Sequence, residues 1–143
     1  MANEKLFHVG VKAIISNADD KVLILEVNTQ NFKLDKTPHD DLPGGRIGAD
    51  EQLDDTLRRE LLEEVGITDI DEIRFVTAVI ANMEIPISDS QKVGLVLMVY
   101  EVKIPEDSEI ILSKEHTSYE WVSRAEARQR LAHKYPAEFT DHL

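Results

Sequence analysis

Residues 7–16 and 21–27 are dense in Val, Ile, Leu and Ala, and the polar tetrapeptide Asn17-Ala18-Asp19-Asp20 separates them. Two apolar runs of strand length joined by a short polar turn predict a β-hairpin. Residues 29–41 are mostly polar and include Pro38, a loop pattern, and Leu42-Pro43-Gly44-Gly45 then predicts a sharp bend with exposed backbone. After Asp50 the apolar spacing lengthens, with Leu53, Leu57 and Leu61 four residues apart. That period predicts a helix to about Val65, with Asp50 as N-cap and Gly66 as its C-terminal stop. Residues 73–80 and 93–102 return to strand-like runs, and residues 83–91, with Pro86 and Asp89, read as the loop between them. Residues 105–108 are a polar break and residues 119–122 a short strand. Ser123 is placed to cap a last helix through Ala132, with Glu126 as its capping-box partner.

Strands, a helix, more strands and a second helix, without repeat, low-complexity tract or linker, predict an α+β fold. One sheet with helices on both faces is expected, in a single domain over residues 1–143; strand order stays open. The length suffices for one sizeable core. With no cysteine, disulfides and thiolate metal sites are excluded, so any metal must be held by oxygen or imidazole. The same absence fits a reducing cytosol, and a cytoplasmic location is expected. His8 and Lys12 interrupt the N-terminal apolar run, so neither a signal peptide nor a membrane span is expected. A formal net charge of −12 repels DNA, RNA and anionic membranes, which removes nucleic-acid polymers and membranes as expected partners. A small anionic substrate remains compatible when Mg²⁺ or Mn²⁺ lies between it and the protein.

The predicted helix carries charge on the wrong side. Glu64 falls within the stripe of Leu53, Leu57 and Leu61, Glu60 lies at its border, and Glu63 lies just beyond. Glu51, Asp54, Asp55 and Arg58 already fill the outward face. Burying a carboxylate is costly unless it is paired or coordinates a metal, and Glu60 and Glu64 also repel each other at i, i+4. A hard cation would relieve both costs. Arg59, at i, i+4 from Glu63, is placed to hold a carboxylate bidentately. Gly44 and Gly45, just before the helix, let backbone approach a ligand closely.

The pattern Gly45, five residues, Glu51, seven residues, then Arg59-Glu60-Leu61-x-Glu63-Glu64-x-Gly66-Ile67 resembles the Nudix box and fills all nine of its specified positions. With average residue usage, a match at a given start has a chance on the order of one in a billion. Leu42-Pro43-Gly44-Gly45 is similar to the family's usual approach to the box, although Asp40 and Asp41 stand where an aromatic residue is common. Glu115-His116 followed by Trp121-Val122 resembles a second family segment.

The resemblance implies a Nudix-like α/β/α sandwich with a mixed sheet between helices. It implies a Nudix hydrolase that uses Mg²⁺ or Mn²⁺ to cleave a phosphoanhydride in a nucleoside diphosphate linked to another moiety, by water attack at phosphorus. By position, Glu60, Glu63, Glu64 and the Gly44 carbonyl become metal ligands. Arg59 orients a box glutamate, Glu63 or Glu115 serves as general base, and Glu51 is a supporting contact. Gly45, Arg46 and, from its polar loop, Phe32 are candidate substrate contacts; Phe75 and Trp121 read as core. His8, His39 and His116 read as surface or strand histidines, with His116 the one beside a functional candidate. A homodimer is expected from family analogy alone. Motifs that mark ADP-ribose, dinucleoside-polyphosphate and coenzyme A relatives are missing, so the resemblance leaves the nucleotide open. A catalytically silent nucleotide-binding or regulatory module is the alternative, disfavoured by the complete box; an isoprenoid diphosphate isomerase would need a cysteine that this chain lacks.

Overall fold

The computed structural model describes residues 3–30 and 39–143; Phe32 and Pro38 lie outside the described residues. Strands β1 (Phe7–Ser16), β2 (Val22–Val27), β3 (Asp40–Asp41) and β4 (Gly44–Arg46) precede helix α1 (Leu53–Val65). Strands β5 (Glu72–Ile80), β6 (Ile85–Pro86), β7 (Lys92–Lys103) and β8 (His116–Val122) follow, then helices α2 (Arg124–Arg130) and α3 (Ala137–Thr140). The main sheet path is β3-β2-β1-β7-β5, with β4 on β1, β6 on β7 and β8 on β2.

The sheet is mixed: β1 and β7 run parallel from Phe7↔Gly94 to Ser16↔Lys103, while β5 pairs antiparallel with β7. Its central strands β1, β2 and β7 are largely buried on both faces, which is why they read as continuous apolar runs. Val11, Ala13, Ile15, Leu23 and Leu25 pack against Leu57, Leu61 and Val65 of α1. The alternate residues Ile14, Val22 and Ile24 pack with Ala127, Leu131, Tyr135, Phe139 and Leu143 on the other side. The result is the expected α/β/α sandwich. Each fully buried Leu or Ile contributes roughly 2 kcal/mol of transfer free energy to it.

The predicted hairpin is only half correct. The chain does turn at Asn17, whose side-chain oxygen accepts from the Asp19 and Lys21 amides at 3.0 Å. However, β2 meets β1 only at Ser16↔Val22 and then pairs along its length with β8. The segment expected to be loop and bend fills the gap between the diverging strands. Asp40–Asp41 bonds to β2, Gly44–Arg46 bonds to β1, and the Ala13 amide donates to the Pro43 carbonyl at 2.9 Å. Other departures are local. The strand expected at 119–122 begins at His116, α2 stops at Arg130, and α3 was not foreseen. Phe75, expected in the core, is half exposed on edge strand β5 and meets Tyr100 edge-on at 5.6 Å. Trp121 is partly buried against the α1-side core. No helix among the described residues is long and apolar enough to cross a membrane.

A buried polar cluster ties the diverging strands to the C-terminal segment. Asp41 accepts from Lys12 Nζ at 3.1 Å, Lys134 Nζ at 2.6 Å, the Tyr135 hydroxyl at 2.6 Å and the Leu42 amide at 2.7 Å. Lys12 also donates to the Leu42 carbonyl at 3.1 Å. Burial alone would raise the Asp41 carboxyl, but the Lys12 and Lys134 ammoniums and the hydrogen bonds outweigh it and hold it well below the usual carboxylate range. A depressed folded-state pKa contributes stability that is present above the unfolded value and lost as pH falls below about 4. Asp41→Asn leaves two buried ammoniums without their anion and is expected to cost about 3–5 kcal/mol in urea unfolding at neutral pH. A loss under about 1 kcal/mol would mean that the cluster does not hold these segments together.

Candidate metal and phosphate site

Helix α1 sets the spacing of the carboxylates. Its N-cap is Gln52 rather than the expected Asp50: the Gln52 amide donates to the Asp55 carboxylate at 3.1 Å, the reach-back half of a capping box. Gly66 ends the helix in the left-handed conformation, as expected.

Arg59 organises three acidic residues. Its Nε and Nη2 grip Glu51 bidentately at 2.6 and 2.9 Å, and Nη1 donates to Glu60 at 2.9 Å and Glu63 at 3.2 Å. The bidentate partner is therefore Glu51 and not Glu63. Glu51 does not point outward either. It precedes the helix and turns inward, accepting also from the Gly48 amide at 2.8 Å and the Thr56 hydroxyl at 3.0 Å. Its hydrogen bond with Arg59 leads the causes that bring its pKa down to about 2. Glu51 thus fixes Arg59, and Arg59 directs Glu60.

Glu60 lies against Gly45. A Cβ at Gly45 would stand 2.3 Å from the Glu60 carboxylate, so only glycine leaves room for it. Gly44 has φ +149°, and a Cβ there would meet the Val11 carbonyl oxygen at 2.0 Å. This constrained backbone aims the Gly44 amide at Glu64 Oε1, 2.7 Å away. Glu64 is only 4% exposed, on the helix face shared with Leu57 and Leu61. Burial pushes its pKa up to about 7, against the opposing pull of Lys12 and the Gly44 amide and with the help of Glu60 and Glu115. Glu63, by contrast, is largely exposed.

Glu64 faces strand β8. His116, read from sequence as a surface or strand histidine, is buried at the start of β8, with Nδ1 3.4 Å from Glu64 Oε2. Burial, with help from the Lys12 charge, lowers the imidazole to about 4, so a neutral ring faces Glu64 and the pair is not an ion pair. Ligand atoms of Glu64, Glu115 and His116 lie within 4.8 Å of one another. Opposite ligands of a divalent ion stand roughly 4–5 Å apart, so these side chains fit one hard cation.

These residues open into a cleft of about 580 Å³ whose walls also include Lys12, Arg46, Lys114 and Lys134. Among the described residues, four lysines and arginines thus converge on one hollow of an acidic protein. Burial pushes Lys134 down to about 8, aided by Lys12. A larger hollow of about 770 Å³, beside the β1–β2 turn and Trp121, contains none of the box carboxylates. Its size is unaccompanied by site chemistry, so the smaller cleft is the candidate. Sequence reasoning missed Lys12, Asp41 and Lys134. The available signal was Lys12 itself, a charge at an inward position of an otherwise apolar strand.

Comparison with known proteins bears out the family resemblance. The NUDIX domain matches residues 6–143, and the chain belongs to the Nudix family. It is a Nudix hydrolase, of a family whose members hydrolyse nucleoside diphosphate derivatives and generally need a divalent metal. The fold is similar to that of a MutT protein from Methanosarcina mazei Go1 at 26% identity, covering 98% of this chain and 92% of that one, with a TM-score of 0.69. It is also similar to E. coli dihydroneopterin triphosphate pyrophosphohydrolase at 18% identity, covering 97% and 100%, with a TM-score of 0.68. A C. elegans Ap4A hydrolase shares the fold at 16% identity, covering 92% and 89%, with a TM-score of 0.62. No curated protein sequence matches the chain.

The crowding at Gly45 yields a direct check. Gly45→Ala is expected to leave the melting temperature near wild type, because the flexible Glu60 side chain can move aside. Mn²⁺ affinity by titration calorimetry is expected to fall roughly ten-fold or more as Glu60 leaves its place. Unchanged affinity would show that the position of Glu60 does not matter for metal.

Proposed function

We propose that this protein is a divalent-metal-dependent pyrophosphohydrolase that cleaves a phosphoanhydride in a nucleoside diphosphate linked to another moiety, such as a nucleoside triphosphate or a nucleotide sugar. The observation that carries this reading is the joining of two opposite features in one cleft. Carboxylates suited to a hard cation line one part, and lysines and arginine suited to phosphate oxygens line the rest.

Glu60, Glu63, Glu64 and the Gly44 carbonyl would hold Mg²⁺ or Mn²⁺. When bound, such an ion offsets the charge of the phosphate oxygens and lowers the pKa of water. The protein's own groups do the rest. Arg59, fixed by Glu51, keeps Glu60 directed at the site. Glu63 or Glu115 accepts the proton of the attacking water. The new P–O bond forms as the bridging P–O bond breaks, and the bridging oxygen leaves with the departing phosphate. Arg46 and Lys114 stand along the cleft to meet the negative charge of the phosphates. Gly45 contributes backbone at the substrate side, and Phe32, outside the described residues, is the proposed cover for the nucleoside.

The test is turnover. Purified protein with Mg²⁺ or Mn²⁺ is given nucleoside triphosphates, oxidised deoxynucleoside triphosphates, ADP-ribose, sugar nucleotides and dinucleoside polyphosphates. Release of phosphate or pyrophosphate, or of two nucleotide fragments, from at least one class is expected. Binding without cleavage of any would favour a silent nucleotide-binding module. Glu60→Gln and Glu64→Gln are each expected to lose roughly 100-fold or more in kcat with the fold intact by circular dichroism. Near-normal turnover of either variant at saturating Mg²⁺ overturns its assignment as a ligand.

A further inference from the structure

His116 is not among the residues to which the proposed function assigns the metal. It is the first residue of β8, its side chain is 6% exposed, and Nδ1 is a buried polar atom without a hydrogen-bond partner. A buried, unsatisfied polar atom costs about 1–3 kcal/mol, so it calls for a physical explanation. The backbone of His116 is held from both sides along the chain. The His116 amide donates to the Ser113 carbonyl at 3.4 Å, and the paired strand β2 lies alongside through Val27↔His116. Nδ1 stands 3.4 Å from Glu64 Oε2, and Glu115 offers an oxygen within the same cluster of ligand atoms.

We infer that His116 is a direct metal ligand, so that the cation site is a mixed site of carboxylate oxygens and one imidazole nitrogen. This rests on the metal-dependent reading above and specifies the site further. Two observations support it independently: the convergence of three ligand atoms within 4.8 Å, and a buried ring nitrogen left without a hydrogen-bond partner. Imidazole suits borderline first-row ions more than Mg²⁺, and at a nitrogen-bearing site Mn²⁺ sits above Mg²⁺ in preference. The proposed consequence is selectivity: His116 favours Mn²⁺, whereas the carboxylates alone would serve both ions.

The test reads the metal without turnover. Mn²⁺ is bound to the intact protein, and electron spin-echo envelope modulation records nuclei in direct contact with the ion. The expected result is a directly coordinated ¹⁴N coupling that changes to ¹⁵N when only histidine is isotope-labelled. His116→Gln is expected to abolish that coupling, to weaken Mn²⁺ binding about ten-fold in titration calorimetry, and to change Mg²⁺ binding far less. If the variant does not fold, the labelling is repeated on His39→Gln, which removes the other histidine among the described cleft residues: a coupling that persists keeps the assignment to His116, and a coupling that is lost overturns it. Bound Mn²⁺ without histidine nitrogen coupling overturns the role of His116 and leaves the hydrolase reading standing. No Mn²⁺ binding overturns both.

Discussion

The hydrogen bond from the Gly44 amide to the Glu64 carboxylate is the joint on which the site depends. Glu64 lies on the face of α1 that buries Leu57 and Leu61, where a charge without partners is costly. It can stay there because the constrained glycine backbone of β4 supplies a donor and because its other oxygen faces the cleft. The same bond fixes the distance between helix and strand, and so the distance between Glu60, Glu64 and the lysines and arginine of the cleft. Fold and chemistry therefore share one constraint: the sandwich must close around a carboxylate that it does not fully satisfy.

Asp41 answers a related constraint with the opposite sign. Divergence of β1 and β2 opens the sheet, and Lys12 would be a buried cation in that opening. Asp41, held by Lys12, Lys134 and Tyr135, neutralises it and anchors the C-terminal segment to the cleft. The strong pairing keeps the carboxylate ionised despite burial. Glu64, with fewer donors and two acidic neighbours, is shifted the other way. Two buried carboxylates near one cleft thus differ in character because of their partners, and the less satisfied one is the better candidate to bind a cation.

The parts of this arrangement that were legible in the sequence are those encoded locally. The stripe of Leu53, Leu57 and Leu61 placed Glu64 inward, Glu60 at the border and Glu63 outward, and their exposures follow that order. The parts that were not legible depend on distant partners. Nothing near Lys12 indicates Asp41, 29 residues on, and nothing near Asp41 indicates Lys134, 93 residues further. The hairpin was misjudged for the same reason: apolar runs show that strands form but not that β4 competes for the edge of β1. Helix α3, only Ala137–Thr140, is too short to impose a period and forms because Phe139 and Leu143 fill the core beside Tyr135. His116 looked ordinary because its side chain is buried in the cleft beside Glu64, a placement that sequence spacing does not reveal.

In the proposed function, the inward carboxylates of α1 hold a divalent ion against a substrate's phosphates. Anomalous diffraction from a crystal grown with Mn²⁺ tests it most directly. An anomalous peak is expected within roughly 2–2.5 Å of a Glu64 oxygen, inside the cleft that Lys12, Arg46 and Lys134 line. A cleft without a peak at saturating Mn²⁺, with Glu60 and Glu64 engaged only by protein groups, would contradict it.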